Sequence, residues 1–136
     1  MYRNILIATD GSDSAREALH VGVELAAEQG TAVTIVHVVD ANGNYDQNSR
    51  PDEDGALREA IGIARRAEIE PDLELATGDA ADAVSRVAEQ VDADLVIVGS
   101  RGLGRAGASL LGSVSRDVLK RCKRPVMVVR GHRSPS

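Results

Sequence analysis

Residues 5–39, ILIATDGSDSAREALHVGVELAAEQGTAVTIVHVV, set two apolar runs on either side of a segment with a different period. Ile5 to Thr9 is short and apolar, and Ala32 to Val39 is almost continuously β-branched, the composition of a strand buried on both faces. Between them, small and apolar residues recur at Ala15, Ala18, Leu19, Gly22 and Ala26. Spacings of three and four make the stripe of an amphipathic helix, which Ser12 or Asp13 caps and Gly30 closes. A strand therefore turns sharply into a helix, and the chain returns as a second strand. His37 lies inside that second run, where a lone histidine is more often a satisfied core residue than a catalyst.

The alternation continues to the end of the chain. Asp40 to Gly55 has the turn signal Asn42-Gly43, a proline and no apolar periodicity, so it reads as a loop and as the segment expected to move most. Leu57, Ala60, Ile61, Ala64 and Ala67 return to helical spacing, Pro71 breaks it, and Leu73 to Thr77 is a weak strand. Asp79 is placed to cap a helix carrying Ala80, Ala83, Val84, Val87, Ala88 and Val91. Leu95 to Val98 is the next strand. After a glycine-rich stretch, Val114, Val118, Leu119 and Cys122 predict a last helix from about Ser113, and Pro125 starts the strand Val126 to Val129. Residues 131–136 are expected to be a disordered tail. Strands alternating with helices of this length imply right-handed crossovers and a parallel sheet covered on both faces, an α/β fold in a single domain over residues 1–130. Ligands of such sheets sit beyond the carboxyl ends of the strands, where strand order reverses. Thr9-Asp10-Gly11, Val38 to Asp40 and the glycine-rich stretch fall on that edge.

Composition narrows the function classes. Phe and Trp are absent and Tyr occurs twice in 136 residues, so the core is built from Val, Ile, Leu and Ala. The one cysteine, Cys122, forms no internal disulfide; it lies in a basic helical stretch that could favour a thiolate, but a small half-buried side chain is the plainer reading. No apolar run approaches the length of a membrane span, and Met1 to Asn4 leads directly into a strand, so a cytoplasmic protein without a membrane partner is expected. The net charge of −5 is unevenly divided: residues 1–94 carry −13 and residues 95–136 carry +8. Such asymmetry can mark an anionic partner. The lack of aromatic side chains for stacking bases argues against nucleic acid, and Lys120, Arg121, Lys123 and Arg124 could simply complement a helix end.

The glycine-rich stretch, GSRGLGRAGASLLGSVS from Gly99 to Ser115, contains a letter-for-letter dinucleotide fingerprint at Gly102, Gly104 and Gly107. That motif needs its helix to start at once and an acidic residue about 20 positions on for the ribose. Here the helix starts near Ser113, and no carboxylate follows Asp117. A Walker loop fails as well, because the only lysines are Lys120 and Lys123. What remains is a long excursion with Gly99 and Gly102 at the strand exit and Gly112-Ser113 at the helix entrance. The amides of the first helical turn, the hydroxyls of Ser113 and Ser115, and the charges of Arg101 and Arg105 suit a di- or triphosphate. A flexible surface loop with an ordinary serine cap is the plainer alternative.

The spacing Gly99, two residues, Gly102, nine residues, Gly112-Ser113 resembles the nucleotide loop of the ATP-binding branch of the universal stress protein family. Ile5 to Ser12 resembles the family's opening strand, Val36-His37-Val38-Val39 its second, and Pro125 to Val129 its last. The resemblance covers essentially the whole chain. It implies a Rossmann-like, five-stranded parallel sheet in the order 3-2-1-4-5 with ATP across its carboxyl edge. Ala8, Thr9 and Asp10 would then hold the adenosine end, and the Val38 backbone would meet adenine. Val98, Gly99, Arg101 and Gly102 would line the ribose and first phosphates. Gly112, Ser113, Val114 and Ser115 would hold the outer phosphates, with Mg2+ or Mn2+ bridging phosphate oxygens and no protein metal site. The resemblance also implies a homodimer through Val126 to Val129.

An ATP-binding module of a stress response is therefore the leading expectation. No evident general base lies near the loop, since Asp117 is the one acid after Asp94, and no catalytic residue is assigned. Hydrolysis, or phosphotransfer to Ser113 or Ser115, would be slow. A dimeric interaction protein with a loop that binds nothing is a third reading. A dinucleotide-dependent oxidoreductase lacks both the ribose carboxylate and a substrate domain.

Overall fold

Side chains of the first turn decide how β1 (Asn4–Thr9) becomes α1 (Asp13–Gln29) in the computed structural model, which describes residues 2–39, 50–51, 54–100 and 112–130. Thr9 Oγ1 accepts the Gly11 amide at 3.2 Å and Asp10 Oδ1 accepts that of Ser12 at 2.9 Å. Gly11 takes φ 82°, a left-handed conformation that glycine adopts without steric cost. Ser12, not Asp13, is the cap: its Oγ accepts from Ala15 N at 3.2 Å, and Asp13 in the first turn faces the positive end of the helix dipole. At the other end Gly30, at φ 65°, closes the helix as expected.

The remaining elements follow in strict alternation: β2 (Ala32–Val39), α2 (Gly55–Arg66), β3 (Asp72–Thr77), α3 (Ala80–Gln90), β4 (Leu95–Gly99), α4 (Ser113–Arg121) and β5 (Val126–Val129). All strand pairs are parallel, in the order β3-β2-β1-β4-β5. Asp79 caps α3 by accepting from Asp82 N at 3.0 Å, as its position predicts. Gly55 is a correction, since it belongs to α2 and not to the preceding loop. Asp54 caps the helix there, accepting from Leu57 N at 3.0 Å, so helical backbone begins two residues before the first apolar position. Residues 40–49, 52 and 53 of that loop, and the tail at 131–136, lie outside the described residues.

Two cores sandwich the sheet. Ile5, Ile7, Val33, Ile35, Leu95 and Ile97 meet α1 and α2 on one face. Leu6, Val36, Val96 and Val98 meet α3 and Val118 of α4 on the other. With no Phe or Trp to fill space, the layers come close instead. A Cβ at Gly22 of α1 would lie 2.5 Å from Ile7 Cδ1 and 3.1 Å from Ile97 Cδ1. That spacing lets α1 lie directly on β1 and β4, where dispersion contacts across a dense interface stabilise it.

The basic stretch at the end of α4 has a tertiary role. Arg121 Nη1 pairs with Asp79 at 3.0 Å and with Asp82 at 2.5 Å, both at the amino end of α3. Arg124 reaches Glu89 at 3.1 Å, Asp92 at 2.8 Å and the Ala93 carbonyl oxygen at 3.0 Å at its carboxyl end. Two of the four cations thus clamp a neighbouring helix, a use that the complementing of their own helix end does not describe.

Candidate functional site

β1 and β4 are neighbours, yet the chain leaves them in opposite directions: β1 leads through α1 to β2, and β4 leads through α4 to β5. The crevice between their carboxyl ends is the point where strand order reverses. Because α1 and α4 pack on opposite faces, their amino ends flank it from two sides.

Gly99 ends β4 in this crevice, and α1 dictates its identity. A Cβ there would overlap Ser14 Oγ and would lie 2.7 Å from the Ser14 carbonyl carbon and 2.8 Å from its oxygen. Ser14 is buried, so backbone would have to move. The next residue, Ser100, engages both of its peptide groups. Its amide donates to Val129 O at 2.7 Å, and its carbonyl oxygen accepts from Gly112 N at 2.7 Å and from Ser115 Oγ at 2.9 Å. The excursion between positions 100 and 112 is therefore closed at its root. Arg101 and Gly102, with the rest of residues 101–111, lie outside the described residues.

α4 starts differently from the other helices. Ser12, Asp54 and Asp79 cap α1, α2 and α3 with side chains, whereas Gly112 caps α4 with none. The amides of Ser113, Val114 and Ser115 have no partner among the described residues, and Ser113 and Val114 are exposed. Uncompensated donors at the positive end of a helix favour an anion. Gly112 has φ −69° and ψ 163°, open to any residue, so what glycine contributes there is the missing side chain.

Ser115 needs a correction. It is 2% exposed, and its hydroxyl lies 2.9 Å from Ser100 O and 3.0 Å from Gly112 O, where its single proton serves the loop root. Its hydroxyl proton is thus engaged within the protein, and its amide is what it can offer to a ligand. The exposed hydroxyl of the pair is that of Ser113.

On the other side of the crevice, Thr9 is buried and Asp10 is exposed. Ala8, Val38 and Val98 all pack with the α3 and α4 core. Thr9 pairs in register with His37 of β2. His37 is not an isolated core histidine: its Nδ1 is 2.9 Å from Asp54 Oδ1. Arg16 donates from Nη2 to Gly11 O at 3.2 Å, from Nη1 to Asp13 at 2.7 Å and from Nε to Glu59 at 3.2 Å. Bonds to Asp13 and then Glu59 hold the Arg16 guanidinium above its usual pKa, so it stays charged. Sequence spacing gave no sign of Glu59 or Asp54, because they lie in and just before α2, 43 positions from Arg16 and 17 from His37. Among the described residues no three His, Cys, Asp or Glu side chains gather in a way that could hold a metal ion, and no helix is long and apolar enough to cross a membrane.

The sequence matches the profile described as the universal stress protein family over residues 1–130. A universal stress protein of Thermus aquaticus is 32% identical, with 96% of this chain and 100% of the relative covered. A universal stress protein of Methanocaldococcus jannaschii is 30% identical over 96% of this chain and 83% of its own length. Among solved structures, a universal stress protein in complex with cAMP is 30% identical, covers 94% of this chain and 96% of its own, and superposes with a TM-score of 0.75. The universal stress protein from Archaeoglobus fulgidus in complex with dAMP is 27% identical, with 94% and 98% covered and a TM-score of 0.73.

Proposed function

The chain belongs to the universal stress protein family, and on that premise we propose that it binds an adenine nucleotide, ATP in our reading, and acts as a cytoplasmic regulatory module of a stress response. The observation that carries the proposal is the amino end of α4, which has no side-chain cap and whose first amides have no partner among the described residues, beside the crevice where strand order reverses. The relatives solved with cAMP and dAMP support the adenine part.

In this reading Ala8, Thr9 and Asp10 hold the adenosine end and the Val38 backbone meets adenine. Val98, Gly99, Arg101 and Gly102 line the ribose and first phosphates, and Gly112 with the amides of Ser113, Val114 and Ser115 takes the outer phosphates. A divalent ion would be held by phosphate oxygens. Two copies would pair along β5. That edge is Val126-Met127-Val128-Val129, half-buried and uncharged, whereas the opposite edge at β3 carries Asp72 and Glu74, charges that discourage strand pairing.

Mass analysis of nucleotide released from freshly purified protein, followed by calorimetric titration with ATP and magnesium, AMP, cAMP and GTP, tests the proposal. Micromolar binding of ATP with discrimination against GTP is expected. Binding of AMP or cAMP alone would replace the triphosphate by a monophosphate, and no bound or titratable nucleotide would end the reading.

A further inference from the structure

Two long connections leave the sheet at its carboxyl edge, one after β2 and one after β4, and a polar bond joins the two ends of each. After β4 it is Gly112 N on Ser100 O. After β2 it is His37 Nδ1 on Asp54 Oδ1, joining positions 17 apart. The same Asp54 oxygen accepts the Leu57 amide as the cap of α2. A carboxylate only accepts, so Nδ1 is the donor of this bond. The side chains are 19% and 16% exposed, sheltered enough for the bond to be screened less than a surface pair.

We propose that His37 is a positioning residue for the adenosine side of the site: through Asp54 it holds the start of α2 against the turn that carries Asp10. The proposal rests on the nucleotide reading above. Ala56, two residues past Asp54, lies so near that turn that a Cβ on Gly11 would be 3.7 Å from its own Cβ. Arg16 ties the same turn to α2 a second time, through Gly11 O and Glu59. Without the imidazole, Asp54 still caps α2, but the helix start loses its tie to β2 and the Asp10 turn loses a fixed wall. A nucleotide must then order what the intact protein holds in place beforehand, and affinity falls.

Affinity for ATP and the melting temperature, measured side by side for the full chain and for His37→Leu, His37→Asn and Asp54→Ser, test this. Asparagine presents an amide N–H near the place of Nδ1, and leucine presents none. Serine caps a helix about as well as aspartate but is too short to reach the ring. His37→Leu and Asp54→Ser should each weaken binding about three- to tenfold, the range for one sheltered hydrogen bond. The double variant should bind no worse than either alone, and His37→Asn should recover most of the loss. Unchanged affinity in His37→Leu, additive losses in the double variant, or no recovery in His37→Asn would each overturn the proposal. If His37→Leu fails to fold, Asp54→Ser against the parent decides it. A parent chain that binds no adenine nucleotide overturns the nucleotide reading itself, a result separable from the others because it appears before any substitution.

Discussion

Ser14 sits against the α-carbon of Gly99 so closely that even a methyl group there would meet its hydroxyl and its backbone carbonyl. The contact joins the first turn of α1 to the last residue of β4, at the crevice where strand order reverses. Gly99 is thereby a packing residue, whatever else it touches.

Two glycines of one motif should therefore behave differently. Gly99→Ala is expected to lower stability by about 1–3 kcal/mol, since backbone must shift to admit the methyl group. Gly112→Val should lower stability by no more than about 1 kcal/mol, because its backbone angles suit any residue and the cost is that of a poorer helix cap. The same variant should lose nucleotide binding, because on the proposed function its side chain would stand where the phosphates approach α4. Thermal melts with parallel titrations separate the two, and a Gly112→Val protein that binds ATP normally would remove that residue from the site.

Ser115→Ala removes a hydroxyl that serves Ser100 and leaves every amide of the α4 start in place. A loss of about 1 kcal/mol is expected, a fall of roughly 3 °C in Tm, because the Ser100 carbonyl keeps its bond from Gly112. Nucleotide affinity should stay within a few-fold of the parent. Abolished binding at an unchanged Tm would return the hydroxyl to the ligand.

Stability should fall in acid partly through Arg124. Its bond to Glu89 is the main cause that holds the Glu89 carboxyl below the usual glutamate value. A group whose pKa is lower in the folded chain than in the unfolded one stabilises the fold above its unfolded value, and that contribution is lost as pH falls through the folded value. Melting temperatures of the parent and of Arg124→Gln should therefore differ near neutral pH and converge as pH falls below about 4, the ordinary glutamate range. Curves that stay parallel would show that the pair does not contribute to folding.

What could be read from the sequence was local. Ser12, Asp79 and Gly30 act within four residues of themselves, and their roles follow from helix geometry alone. Strand order came with the family resemblance and agrees with the structure. Gly99 was legible as a special glycine, but its packing against Ser14 was not, since Ser14 lies far away in sequence. The inward turn of Ser115 depends on Ser100, fifteen positions earlier, and the arginines of the basic stretch find acids 32 to 42 positions back. Periodicity carries no information at those separations. His37 illustrates the limit, because an imidazole inside a β-branched run looks inert until the returning chain brings Asp54 beside it.

Ser100 has one further consequence. Its amide is fastened to the last residue of the terminal strand and its carbonyl to the first residues of α4. A residue held through both of its peptide groups behaves as an axle: a shift of the α4 start that keeps these bonds pulls on the tip of the rim strand through it. News of an occupied crevice would then reach the outer margin of the molecule through one residue, with no relay of side chains in between.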